Sequence, residues 1–307
     1  MPELECLASQ YLEYCKNQKN LDEKTIKAYR IDLHQFTTFF AQKSGRLDRH
    51  GIEVYISSLH DTFKPKSVKR KIAVTKAFFN YLEYEDHLAD NPYKGMKIKY
   101  REPILLPKIC TLNTIQRILS CAYGELHRKP LTAFKKSAVL RDIAVLELLF
   151  ATGVRVSELC NLSNNNVMII EKYIRIMGKG ARERIIQVPN QVVISALCEY
   201  DASRPNFGHK DDPFFLNGRR EKLSEQSVRH IINRYVSLAD IELHITPHMF
   251  RHTFATLLLE EDVDIRYIQR ILGHSSILTT QIYTHVTSNQ QTHILATKHP
   301  RNKIEVG

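Results

Sequence analysis

Hydrophobic residues recur at steps of three and four through most of this chain, the spacing of helices that bury one face. Leu4, Leu7, Tyr11, Leu12 and Cys15 form one such stripe, and Ile26, Tyr29, Leu33, Phe36 and Phe40 form a second. A third helix is predicted over residues 49–59, with Ile52, Tyr55, Ile56 and Leu59 inward. A fourth starts near Ser67 as N-cap and runs through Ile72, Phe79 and Leu82. Four helices on short connections predict a compact helical domain over residues 1–90.

The periodicity stops at residues 91–110, where Pro92, Pro103 and Pro107 forbid a continuous helix. An extended interdomain linker is expected there. It resumes with a helix from about Thr111 and an amphipathic helix over 137–151. Gly153 sits at the stop position, Arg155 in the following turn, and Ser157 is expected to cap the next short helix. Residues 167–170, 173–177 and 184–188 alternate or run apolar like strands, and Gly178-Lys179-Gly180 reads as the hairpin joining the last two. Helices return over 190–200 and 224–239. The expected class is therefore mainly α: a four-helix domain, then a mixed α/β domain over 111–286, mostly helical with a small antiparallel sheet. A polar, basic tail follows over 287–307.

Composition adds a partner to this outline. In 307 residues, 44 Lys and Arg face 33 Asp and Glu, a net charge of +11, so an anionic partner is expected, nucleic acid before an anionic membrane surface. Distribution sharpens that. Lys64, Lys66, Lys69, Arg70, Lys71 and Lys76 occur with no acid between them, and Lys94, Lys97, Lys99 and Arg101 decorate the linker. A solvated helix face would mix signs, so these residues are predicted to contact backbone phosphates, positioning the protein without reading sequence. Such a linker would join two domains placed on opposite faces of a duplex.

The six cysteines show no CxxC pair or regular spacing, and read as reduced core residues of a cytoplasmic protein. Neither a signal peptide nor a membrane span is predicted.

Chemistry-bearing residues concentrate in 246–285, which holds His248, Arg251, His274 and Tyr283. Imidazoles, a guanidinium and a phenol offer proton carriers, a fixed charge and a nucleophile, a kit suited to phosphate esters. Thr246-Pro247 starts a helix, on which His248, Arg251, His252 and Ala255 are expected to share one face near an anion-favouring N-terminus. His248 and His252 stand at i and i+4. The first is followed by Met249 where a zinc hydrolase needs Glu, so no metal is expected, and His252 reads as packed. A further helix over 262–272 has Ile265, Ile268, Ile271 and Leu272 inward and stops at Gly273, so His274 leaves its end directly.

A non-enzymatic reading stands beside this one. The helix, the tight turn and the helix carrying Tyr283 resemble a helix-turn-helix DNA reader with residues 277–285 as recognition helix. That helix offers base edges little beyond Gln281. Gly178-Lys179-Gly180 is too short for a phosphate-binding P-loop, and by spacing alone Lys179 is an exposed hairpin-tip residue.

Five motifs occurring in order favour the enzymatic reading, with the helix-turn-helix regulator kept as the alternative. ATGVRVSEL at 151–159, GKGARER at 178–184, HMFRH at 248–252, LGHSS at 272–276 and IYTH at 282–285 resemble the tyrosine recombinase, or phage integrase, family. The four-helix first domain resembles that family's core-binding domain. The resemblance implies Arg155 and Arg251 as paired arginines, Lys179 as hairpin lysine, His248 and His274 as the two histidines, Tyr283 as nucleophile, and Glu158 as support for Arg155. In size the chain resembles the Xer-type recombinases. Also implied are double-stranded DNA recombination sites as substrate, a homotetramer on DNA, and no cofactor or metal. Strands would be exchanged through a 3′-phosphotyrosine and a Holliday junction, with accessory proteins left open. Cleavage followed by rejoining of the same strand, as in a type IB topoisomerase, is the rival within this chemistry.

Overall fold

A computed structural model of the chain describes residues 2–43, 46–98, 108–128, 130–177, 183–205, 209 and 211–273. It divides into two compact units, Met1–Ile104 and Leu105–Gly307.

The first unit is a bundle of α1 (Pro2–Asn17), α2 (Glu23–Lys43), α3 (Arg49–Thr62) and α4 (Pro65–Tyr84). The predicted stripes supply its core: Tyr11, Cys15, Leu33, Phe36, Phe40, Ile52, Tyr55, Phe79 and Leu82 are all buried. Helix α4 begins earlier than expected, with Pro65 in its first turn and Lys64 as N-cap, because proline's fixed φ suits the start of a helix and its missing N–H costs nothing there.

Two features of this unit correct the sequence reading. Lys71 is not a surface cation. It lies on the α4 stripe with Val68, Ile72 and Thr75, is only 2% exposed, and its Nζ donates to Asp32 Oδ1 at 2.8 Å and to Gln35 Oε1. The Phe63 ring lies 4.4 Å from the same ammonium. A buried ammonium needs such partners, and having them it is unavailable to a phosphate. The second concerns the start of the predicted linker, which is part of the bundle. Tyr93 is buried against Phe79 and bonded to Thr75, while the Asn91 amide donates to Asn80 and Glu83.

The second unit is built on α6 (Ala133–Thr152), which is buried nearly all round and packs against α5 (Leu112–Arg128), α8 (Gln191–Ser203), α9 (Glu225–Leu238) and α10 (Pro247–Glu260). Thr132 caps its start and Gly153, at φ 60°, ends it. Helix α7 (Val156–Cys160) follows with Arg155, not Ser157, as its N-cap.

The sheet is antiparallel in the order β1 (Val167–Met168), β2 (Tyr173–Met177), β3 (Glu183–Gln187), shorter at β1 than predicted. Ile174 pairs with Ile186 and Ile176 with Arg184, so Arg184 shares the inward face with three isoleucines. Helix α11 (Ile265–Leu272), capped by Asp264, packs on α10 through a small cluster of Ala255, Leu259, Ile268 and Leu272.

Of the cysteines, Cys15, Cys110 and Cys160 are buried as expected, whereas Cys6 and Cys198 are exposed. No helix among the described residues is long and apolar enough to cross a membrane.

Candidate active site

The site residues of the second unit come from three elements that meet at one helix end. Arg155 precedes α7, Arg184 lies on β3 and Arg251 lies on α10. Their guanidinium groups converge on the C-terminus of α11. Arg184 Nε donates to Ile271 O at 2.9 Å, Arg251 Nη2 to Leu272 O at 2.7 Å and Arg155 Nη2 to Gly273 O at 3.4 Å. The last carbonyls of a helix have no partner within it and carry its negative dipole end, so cations are stabilised there. Gly273, at φ 64°, makes the convergence possible. A Cβ at this position would lie 2.8 Å from Arg184 Nη1.

Arg251 is only 4% exposed and also donates from Nη1 to Gly153 O at 2.7 Å. His248, one residue into α10, is exposed, whereas Arg251 on the same helix is buried. Arg155 is the more open of the pair, its side chain 37% exposed.

Glu158 ties the open arginine down. Its Oε1 accepts from Arg155 Nη1 at 2.8 Å and its Oε2 accepts from the Arg155 backbone N–H at 2.8 Å. Burial opposes ionisation of this carboxyl, but bonds from Arg184 and the Arg155 backbone, with the adjoining guanidinium charge, outweigh it. The group is held below the usual carboxylate range.

Thr246 caps α10 by accepting from the Met249 N–H, with Pro247 in the first turn, as the sequence predicts. Beside this helix start lies a cleft of about 350 Å³ lined by Lys108, His244, Thr246, His248 and His252 among others. Burial first, then the charges of His248 and Arg251, pushes the His252 imidazole down to about 4, so it is neutral at ordinary pH. That agrees with its reading as a packed residue.

Lys179, His274 and Tyr283 lie outside the described residues, as do Lys99 and Arg101. In the first unit Lys64, Lys66, Lys69, Arg70 and Lys76 are exposed, with Arg70 paired to Asp32. Lys94 and Lys97 are exposed as well, Lys94 at 3.3 Å from Glu83.

Family comparison decides what this convergence belongs to. The description "Phage integrase family" matches residues 123–290, and "Phage integrase, N-terminal SAM-like domain" matches residues 8–86. A tyrosine recombinase of Agathobacter rectalis is 51% identical over 98% of each chain.

The chain is a tyrosine recombinase of the phage integrase family.

Tyrosine recombinase XerC of Thermodesulfovibrio yellowstonii is 34% identical to it over 95% of this chain and 96% of that one. In fold, the recombinase resembles XerH site-specific recombinase bound to a palindromic difH substrate in a post-cleavage complex. The TM-score is 0.75 at 21% identity, covering 94% of this chain and 84% of that one. Its function is site-specific DNA recombination through a tyrosine intermediate, which sets aside the non-catalytic helix-turn-helix reading.

One functional candidate is missing from the sequence-predicted set. Arg184 stands there only as the end of a motif, yet strand alternation places it on one face with Ile186 and Val188. A cation on a buried face demands an anion, and Glu158 is that anion.

Proposed function

We propose that Arg155 and Arg251 bind the non-bridging oxygens of one DNA phosphodiester while Tyr283 attacks its phosphorus. The observation that carries this is the meeting of the two guanidinium groups on adjacent carbonyls, Gly273 O and Leu272 O, immediately before His274 in the chain. A phosphodiester repels nucleophiles by its own charge. Two fixed cations, one of them desolvated, offset that charge and stabilise the crowded transition state. Tyr283, with an ordinary pKa of about 10, gives up its proton to attack, and His248 accepts it from the exposed start of α10. His274 completes the set of donors around the phosphate.

Lys179 protonates the departing 5′ oxygen. The products are a 3′-phosphotyrosyl enzyme and a free 5′-hydroxyl, so the ester bond energy is retained without ATP or metal. A 5′-hydroxyl from a second duplex reverses the step and exchanges strands. Two duplexes present four strands to cut, and one such site per protomer makes a homotetramer on DNA the matching assembly. The first unit grips backbone phosphates through Lys64, Lys66, Lys69, Arg70 and Lys76, with Lys94, Lys97, Lys99 and Arg101 continuing the track. The protein works in the cytoplasm, where its DNA substrate lies.

The test uses a nicked duplex selected by covalent capture with the wild-type chain. Wild type forms a denaturation-resistant adduct; Tyr283→Phe binds the same duplex and forms none. Adducts persisting in that variant overturn the nucleophile assignment.

A further inference from the structure

Glu158 accepts from more than the arginine it is expected to support. Arg184 Nη1 donates to its Oε1 at 3.1 Å and Arg184 Nη2 to its Oε2 at 2.7 Å, so each carboxylate oxygen serves both arginines. The third Arg184 nitrogen, Nε, donates to Ile271 O. A planar guanidinium with all three nitrogens engaged has one orientation, and Arg184 is correspondingly enclosed, 14% exposed against 37% for Arg155.

We propose that Arg184 is a positioning residue for Arg155, acting through the Glu158 carboxylate and the C-terminus of α11. Charge balance supplies the first reason. Arg155 and Glu158 alone make a neutral pair, which attracts a phosphate weakly. With Arg184 counted, two cations share one anion, so the cluster keeps a net positive charge and Arg155 is the member that reaches solvent. Geometry supplies the second. Arg184 joins β3 to the final turn of α11, and Glu158 joins Arg184 to the Arg155 backbone and side chain. One side chain thereby sets Arg155 relative to the residue from which His274 departs. A lysine has a single nitrogen and cannot serve both ends at once.

This inference rests on the recombinase site proposed above, so the experiment begins with the Tyr283 adduct of the wild type on the captured nicked duplex. Without that adduct it is the site reading that fails. Single-turnover cleavage is then measured at saturating duplex for Arg184→Ala, Arg184→Lys, Arg155→Ala and the double alanine variant. Arg184→Ala is expected to slow cleavage about 10²-fold with affinity changed less than about threefold, and Arg184→Lys to recover roughly tenfold of the loss. The double variant is expected to be no slower than Arg155→Ala alone, since the two residues act as one unit.

A duplex with a methylphosphonate at the scissile position lacks the negative charge, and there the Arg184→Ala effect is expected to shrink below about threefold. Multiplying effects in the double variant overturn the proposal by showing Arg184 acting independently of Arg155, and an equal loss on the uncharged linkage overturns it by showing a role that does not pass through the phosphate charge. Should Arg184→Ala fail to fold, Arg184→Gln and Arg184→Lys carry the same comparison. Full wild-type cleavage in both also overturns it.

Discussion

In each unit of the recombinase a carboxylate is shared by an inner and an outer cation, and the two clusters differ in what surrounds the outer cation. In the bundle, Asp32 holds buried Lys71 and the partly exposed Arg70. In the second unit, Glu158 holds the enclosed Arg184 and the partly exposed Arg155. The inner cation neutralises the carboxylate in both, leaving the outer one as net charge. Arg70 stands on a lysine-rich helix and reaches Ala28 O only at 3.4 Å, so its excess charge suits a passing backbone phosphate. Arg155 stands beside buried Arg251 at a helix end, where two guanidinium groups can address the same phosphate. The device is common to both; only in the second do further guanidinium groups converge on the same helix end.

Removing the convergence should have the largest effect. Arg251→Ala is expected to slow single-turnover cleavage by about 10³–10⁵, the range for an arginine that stabilises a phosphoryl transition state. The duplex should remain bound, and retained cleavage would erase the distinction between the two clusters.

Next comes the stability cost in the bundle. Asp32→Ala leaves the Lys71 ammonium buried without its carboxylate and is expected to lower unfolding free energy by about 3–5 kcal/mol in urea denaturation. Below that transition, duplex already bound should be cleaved at the wild-type rate. Cleavage lost as severely as in Arg251→Ala would show that the first cluster also serves the chemistry.

The pH dependence is somewhat smaller. His252 titrates near 4 in the folded chain and near 6.5 unfolded, so the unfolded state takes up its proton first as pH falls. Its contribution is complete above pH 6.5 and is lost on descending to about pH 4. Urea midpoints across this window should fall more steeply for wild type than for His252→Asn, and parallel curves would contradict the half-buried neutral imidazole.

The smallest effect separates surface from buried lysine. Lys66→Ala should reduce the slope of log affinity against log salt by about one, whereas Lys71→Met should leave that slope unchanged.

Much of the fold and part of the site are legible in the amino-acid sequence. Apolar spacing locates the helices, and Thr246-Pro247, Gly153 and Gly273 mark their ends because caps and left-handed stops have local chemistry. Arg155, Glu158 and Arg251 stand out through their motifs. Lys71 reads as a phosphate contact although it lies on the α4 stripe, since its partner Asp32 is 39 residues away on α2. Tyr93 falls in the expected linker for the same reason, its hydroxyl partner Thr75 lying 18 residues earlier.

What the sequence determined by itself is what short-range physics controls: helix stripes, caps, the hairpin strands and the net basic charge. The tertiary structure decided which cations are paired internally and which remain open to solvent. Charge pairing depends on which elements pack together, and nothing in local spacing shows that Arg155, Arg184 and Arg251 surround one helix end. The role proposed for them rests on that meeting, because a guanidinium's worth to a phosphate is set by the carboxylates and carbonyls already beside it.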